Sequence, residues 1–461
     1  MSEDYLRMYR QTLQLGLIKV IEELFPEEKL KIPYSILDGV YCEFIGSLVS
    51  NREVRLIESK LRSWAQQNNT IELMGKEKNI YRYKLGGTLI DAIYPAFKDT
   101  SMIKEFNIIP YPPGFILHFE DADDEGSKFI LPKKLSATYA ETQRWLERLK
   151  LDEVKDVNSY IRNGKSLELI TTAEALQEKK IADIADRILQ EKKTVRMVLI
   201  SGPSSSGKTT FAQRLSTQLR VNGLKPVPLS LDNFFFNRDN TPKDASGQLD
   251  FDVLEALDLP FLNEQIAELI DGQDVEIPVF DFFTGCRAER GHWLHLGPDD
   301  ILIVEGIHAL NPNLLTKINR DNLFKVYISA LFLINIDSHN RVPTTEARLI
   351  RRIVRDNSFR GTEPEKTLKQ WESVRRGETN NIFKFQEEAD VMFNSSLIYE
   401  LNALRLYAEP LLTKIQKQSP YAETVSRLLN LLSFFEPIET DKVLLNSILR
   451  EFIGGSLYTV N

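Results

Sequence analysis

The chain has 461 residues, 42% of them apolar and 27% charged, which gives room for about two to four domains and is an ordinary balance for a globular protein. A net charge of -8 argues against a large electrostatic footprint for nucleic acid, so DNA is not an expected partner. Two cysteines, Cys42 and Cys286, argue against a disulfide framework and a cysteine zinc site; the run Val326 to Ile336 is too short to span a bilayer, and the polar, acidic Met1 to Arg10 does not read as a leader, so a cytoplasmic protein without a membrane partner is expected.

Along the chain, Tyr5 to Leu24 carries apolar residues at helical spacing (Leu13, Leu17, Val20, Ile21, Leu24). Short β-like runs follow, ending in the turn-rich Pro110-Tyr111-Pro112-Pro113-Gly114 and the acidic stretch Asp121 to Glu125. Leu135 to Glu191 is helical and highly charged. From Thr194 to Leu412, short apolar runs alternate with helical patterns. Val195 to Ile200, Val227 to Leu231, Ile301 to Val304 and Val326 to Leu333 read as buried strands, and Thr209 to Asn222 as a helix stopped by Gly223. That alternation predicts an α/β domain with a parallel sheet. Beyond Leu412 the pattern is helical and reads as an appendage on that domain.

The segment Gly202-Pro203-Ser204-Ser205-Ser206-Gly207-Lys208-Thr209 fits GxxxxGK[ST], with a strand before it and a helix after it. Its glycines let backbone N–H groups converge on phosphate oxygens, and the helix N-terminus favours an anion there. Lys208 would reach the outer phosphates, the Thr209 hydroxyl would hold Mg2+, and Thr210 extends the ATP-binding stretch. A phosphate loop alone also serves switches and motors. Asn-Lys-x-Asp and Leu-Ser-Gly-Gly, the signatures of guanine reading and of transporters, are absent from the sequence.

Other residues favour a kinase. Asp232 follows the second strand, where a carboxylate can take the proton of an attacking hydroxyl; alone it is also a helix cap. Glu305 ends the strand Ile301 to Val304, where an acidic residue can serve magnesium; alone it is also a turn residue. Arg348, Arg351, Arg352 and Arg355 share one helical face, with Arg360 at its exit. Such a run is most often a solvated basic face, but beside a phosphate loop it suits the negative charge of phosphoryl transfer.

Residues 195–395 resemble the uridine kinase and phosphoribulokinase group of P-loop kinases. The resemblance rests on GPSSSGKTT, Ser230-Leu231-Asp232-Asn233-Phe234-Phe235, Asp250-Phe251-Asp252, Glu255 to Asp258, Phe280-Asp281-Phe282, Glu305-Gly306-Ile307 and the arginine run. It implies Asp232 as base, Asp252 holding a ribose-type diol, Phe280 and Arg287 at the acceptor, and Arg348 and Arg351 on a lid over the phosphates. Uridine kinases typically carry Tyr-Asp-Phe and then a His; here Phe280 and Gly285 stand at those positions, so pyrimidine preference is expected to be weak. His292 or His295 is the alternative source of that imidazole, but each is expected to be a surface or structural histidine.

Residues 1–120 resemble the second additional, editing domain of threonyl- and alanyl-tRNA synthetases, on Arg10 to Pro26 and Asp38 to Phe44. The metal ligands that resemblance implies fall on Gln11, Leu15, Lys84 and Thr88, a set unfit for zinc. The expected organisation is an α+β domain (1–125), a helical connector (126–190), a P-loop kinase domain (191–412) and a helical appendage (413–461). The expected function is transfer of the γ-phosphate of ATP to a hydroxyl of a nucleoside-like small molecule. A phosphoribulokinase- or pantothenate kinase-like acceptor, or a non-catalytic nucleotide sensor, are the alternatives. A dimer contact or gating of the acceptor is the role open to the N-terminal region.

Overall fold

The computed structural model describes residues 3–36, 38–77, 79–119, 132–243, 247, 249–281 and 284–458. The acidic stretch 121–125, and Phe282 and Phe283 of the Phe280 segment, lie outside the described residues. The chain folds as two compact units, and these do not follow the division at 125, 190 and 412. One unit is Met1–Arg162 with Leu333–Pro343 and Glu423–Glu436; the other is Asn163–Phe332, Thr344–Ala422 and Pro437–Asn461.

The first unit is α+β. Its opening helix, Glu3–Leu24, buries Leu13, Leu17, Val20 and Ile21, in a core shared with Ile57 and Leu61 of helix Asn51–Gln66 and with Phe115 and Leu117 of a central strand. Ser50 and Glu53 close a reciprocal capping box at the second helix. Strands Leu30–Lys31, Gly39–Phe44, Gly114–His118 and Asn107–Tyr111 form an antiparallel sheet in that order. The distant segment Leu333–Pro343 joins this unit through backbone polar groups. Ile32 N–H donates to Ser338 O at 2.8 Å, and Asn340 Oδ1 accepts from Ile93 N–H at 3.1 Å. Asn158 does the same for the other distant segment, donating to Phe434 O at 2.8 Å.

The second unit is the α/β domain expected from the alternating pattern. Strand β1 (Met197–Ser201) is buried along its whole length; it leads through the phosphate loop into α1 (Lys208–Val221). Then come β2 (Lys225–Ser230), β3 (Asp300–Glu305), β4 (Leu323–Ser329), α2 (Thr344–Phe359), α3 (Pro364–Asn381), β5 (Val391–Asn394) and α4 (Glu400–Leu412). The five strands are all parallel, in the order β2-β3-β1-β4-β5. Continuous apolar runs make interior strands of a sheet covered on both faces. β2 carries Pro226 and Pro228 and lies at the edge, where a missing N–H is tolerated. β4 ends at Ser329, short of the expected Leu333: apolar residues through Ile334 stay buried without strand pairing.

The region beyond Leu412 departs most from expectation. Helix Ala422–Ser433 exists, but Glu423–Glu436 belongs to the first unit. Residues 437–458 are irregular apart from the short helix Arg450–Ile453, although Ile448, Leu449 and Phe452 are fully buried. The helical spacing of their apolar residues reflects burial within the second unit rather than helix formation.

Candidate active site

The carboxyl ends of the central strands line up. Ser230 of β2 is in register with Glu305 of β3, which is in register with Ile200 of β1. The phosphate loop leaves β1 one residue later, at the strand ends where open α/β sheets bind ligands. Gly207, at φ +84, caps α1, and a Cβ there would stand 2.5 Å from Ile448 Cγ2, so glycine is required on both counts.

Lys208 is half-buried, and its ammonium donates to Gly202 O at 3.0 Å and Pro203 O at 3.2 Å. Burial lowers its pKa, opposed by the charges of Glu305, Glu451 and Asp232. The hydroxyls of Ser205 and Ser206 are buried and have no hydrogen-bond partner among the described residues. Buried donors without partners are costly, and phosphate oxygens arriving at this loop would satisfy both. The residues present therefore fit a nucleotide phosphate chain.

Asp232 and Glu305 flank Lys208. The Ser230 hydroxyl donates to Glu305 Oε1 at 3.0 Å. Burial and the neighbouring Asp232 charge raise Glu305 to about 7, against the pull of Lys208 and of the Ser230 hydrogen bond. Burial also raises Asp232, while Lys208 and Arg360 favour its charged form. Two carboxylates whose charges both act on one ammonium can divide the work of proton acceptance and cation binding. The Glu305 carboxylate, at the end of β3, and the Thr209 hydroxyl, in the first turn of α1, are oxygen donors of the kind hard Mg2+ takes.

The sequence profile of the Phosphoribulokinase / Uridine kinase family matches residues 197–398. A uridine kinase of Lactobacillus johnsonii is 31% identical over 183 residues, covering 40% of this chain and 77% of that protein. A uridine kinase of Mycoplasma genitalium is 33% identical over 178 residues, 39% of this chain and 74% of that protein. The chain belongs to the phosphoribulokinase/uridine kinase family. Among solved structures, a possible uridine kinase from Bacillus stearothermophilus aligns over 47% of this chain and 100% of its own, at 20% identity and a TM-score of 0.28. This family member is thus a P-loop kinase in its second unit, a phosphotransferase acting on an alcohol group.

Around the family's acceptor positions, Asp252 is half-buried and pressed on α3: a Cβ on Gly377 would meet Asp252 Cβ at 2.6 Å, so no larger residue fits there. Burial, Asp250 and Glu378 push Asp252 up to about 6, against Arg352. Phe280 is buried, with its ring edge-on to Phe235 at 5.7 Å; Phe235 is edge-on to Phe251 at 5.6 Å. These rings form an apolar wall near Asp252. Arg287, expected at the acceptor, is instead taken up by the segment after β2 and by the residues from Asp258 to Phe261. It donates to Phe235 O at 3.1 Å, Phe234 O at 2.9 Å and Asp258 Oδ2 at 3.2 Å, and stacks over Phe261. Gly285 lies at φ +70 with the Arg238 side chain across it. His292 and His295 are exposed, and His295 pairs with Asp274.

The expectation of a lid made by Arg348 and Arg351 is corrected in this kinase. Both are fully buried and ion-paired, Arg348 with Glu378 and Arg351 with Glu400. They brace the phosphate loop through its carbonyls, Arg348 Nε donating to Ser204 O at 3.0 Å and Arg351 Nη1 to Ser205 O at 3.3 Å. Arg352 Nη1 adds a bond to Ser204 Oγ at 2.6 Å. The guanidinium whose charge reaches Asp232 belongs to Arg360, held down to about 10 by burial and by Arg355. Sequence reasoning missed Glu378, Glu400 and Glu451, and no local pattern marks them. Buried His308 was missed as well; burial drops it to about 4, so it is neutral at physiological pH.

Proposed function

We propose that this chain transfers the γ-phosphate of ATP, with Mg2+, to a hydroxyl of a nucleoside-like acceptor. The observation that carries this reading is the cluster of Lys208, Asp232 and Glu305 at aligned strand ends beside the phosphate loop. A sensor that only binds nucleotide needs no buried base at that point. The names of the relatives, uridine kinases and a uridine-cytidine kinase of Danio rerio, favour a nucleoside-like acceptor.

In this reading the loop from Gly202 to Thr210, with Ser204, Ser205, Ser206, Gly207 and Lys208, holds the phosphates of ATP. Thr209 and Glu305 would hold Mg2+, which neutralises charge on the phosphates when bound. Asp232 accepts the proton of the attacking hydroxyl. Its burial makes it a stronger base than a solvated carboxylate, while the charges of Lys208 and Arg360 pull the other way, toward the ionised form. Asp252 accepts hydrogen bonds from a diol, and Phe280, Phe235 and Phe251 receive the acceptor's flat, apolar face. Arg348 and Arg351 fix the loop's shape, which preorganises its donors. The N-terminal unit reads as a relative of the synthetase editing domain without its chemistry: at the ligand positions, Leu15 is fully buried and Lys84 is exposed.

The test is ADP release by the full-length chain across nucleosides, pantothenate and sugar phosphates, with and without Mg2+. Acceptor-dependent release with a nucleoside, lost in Lys208→Ala, is the expected result. ATP binding without turnover on any acceptor would favour the sensor.

A further inference from the structure

Two carboxylates of the chain itself sit on the phosphate loop's donors. At one end, Glu378 Oε1 accepts from Ser204 N–H at 2.9 Å. At the other, Glu451 Oε2 accepts from Thr210 N–H at 3.2 Å and from the Thr210 hydroxyl at 2.8 Å. Thr210 lies in the first turn of α1, where unpaired N–H groups and the helix dipole attract anions. Glu378 is tied down by its buried pair with Arg348. Glu451 has no basic partner among the ion pairs of the described residues, and its charge acts on Lys208 and Glu305.

Glu451 is delivered by a segment built to stay in place. Arg450 clamps that segment on itself, donating to Val443 O at 2.7 Å, Thr440 O at 2.9 Å and Gly454 O at 3.2 Å. Ile448 stands against Gly207 of the loop. Phe452 is fully buried, with the Arg351 guanidinium 4.9 Å from its ring centre. An anion and an apolar contact thus meet the start of α1, and the aromatic anchor sits on Arg351 of α2, which braces the loop.

We propose that residues 447–454 form an internal strap whose Glu451 carboxylate competes with nucleotide phosphate for the Thr210 end of the loop. A donor group cannot satisfy Glu451 and a phosphate oxygen together, and two anions at one helix N-terminus repel. ATP therefore binds only as the strap lifts, and apparent affinity is lowered by the fraction of chains in which it is down. This inference rests on the reading that ATP uses this loop.

The experiment uses the full-length chain. Calorimetry with ATP and Mg2+ compares wild type with Glu451→Ala and with Glu451→Gln, which keeps the side chain's shape and removes its charge. Both variants are expected to bind ATP about tenfold more tightly. Hydrogen exchange on the wild type needs no variant: saturating ATP should speed exchange in peptides covering 445–458. Affinities equal to or weaker than wild type in both variants, or slower exchange of that segment with ATP, would overturn the strap while leaving a nucleotide-binding kinase intact. No ATP binding by the wild type or either variant would overturn both readings.

Discussion

Ser230 and Glu305 face each other across the last registered pair of β2 and β3, and the Ser230 hydroxyl donates to the carboxylate at 3.0 Å. The charge of Asp232, two residues beyond Ser230, raises Glu305, while the Ser230 hydrogen bond lowers it. The balance between them sets the pH at which Glu305 ionises, and so, in the proposed reading, when it would take a cation.

Glu305 is raised from 4.5 to about 7. The folded chain prefers it protonated, so its contribution to stability is full below about 4.5 and is lost as pH rises through about 7. Magnesium needs the ionised form. The Mg2+ concentration for half-maximal activity should rise about tenfold for each pH unit below about 7 and level off above it. Glu305→Gln should raise it at every pH and flatten the profile. Equal half-saturation at pH 6 and pH 8 in the wild type would contradict this assignment.

Asp232→Asn keeps the shape of the site and removes the base. Turnover should fall by roughly 10²–10⁴-fold, while ATP affinity measured by calorimetry stays within a few-fold of wild type. An Asp232→Asn enzyme with the Mg2+ profile of Glu305→Gln would show that the two carboxylates do not divide their roles.

Arg351→Leu removes the partner of Glu400, which is buried and also accepts from Leu397 N–H at 2.8 Å. Leaving one buried charge unpaired costs about 3–5 kcal/mol, visible as a lower melting temperature. Arg351→Leu with Glu400→Leu should recover much of that stability. A solvent-facing lid arginine would show neither effect.

Uridine and cytidine should be poor or unselective acceptors, because Phe280 offers no hydrogen-bonding group and Gly285 has no side chain. Phe280→Tyr should raise activity on pyrimidine nucleosides. Gly285→His should lower stability instead, since position 285 lies at φ +70 and a Cβ there would meet Arg238 Nε at 2.0 Å. Strong preference of the wild type for uridine over purine nucleosides, in a competition assay, would refute the expectation.

The sheet was legible because an interior parallel strand is a largely apolar run, and within Val195 to Ile200 the four residues from Met197 announce themselves that way. The placement of Asp232 and Glu305 near Lys208 was legible because they stand at strand ends after a phosphate loop; the roles given to them are those proposed. The fates of Arg348, Arg351 and Arg287 were not. A run of arginines shows its helical face but not its counter-charges, and Glu400 lies 49 residues from Arg351. Glu451 lies 241 residues from Thr210, so no local pattern could join them. The division into units was hidden for the same reason. Leu333–Pro343 and Glu423–Glu436 return to the first unit through contacts such as Ile32 with Ser338, which no composition shift along the chain marks.

The two prolines of β2 bear on how copies of this protein can meet. Pro226 and Pro228 are two residues apart, so the N–H groups they lack point the same way. β2 stays in register with β3 from Lys225 to Ser230, so the missing donors belong on the side away from β3. A strand from a second molecule approaching that side finds a row with two gaps in its hydrogen bonding. Edge-to-edge growth of the sheet is blocked there, and any self-association of this chain must use other faces than an extended β-sheet through β2.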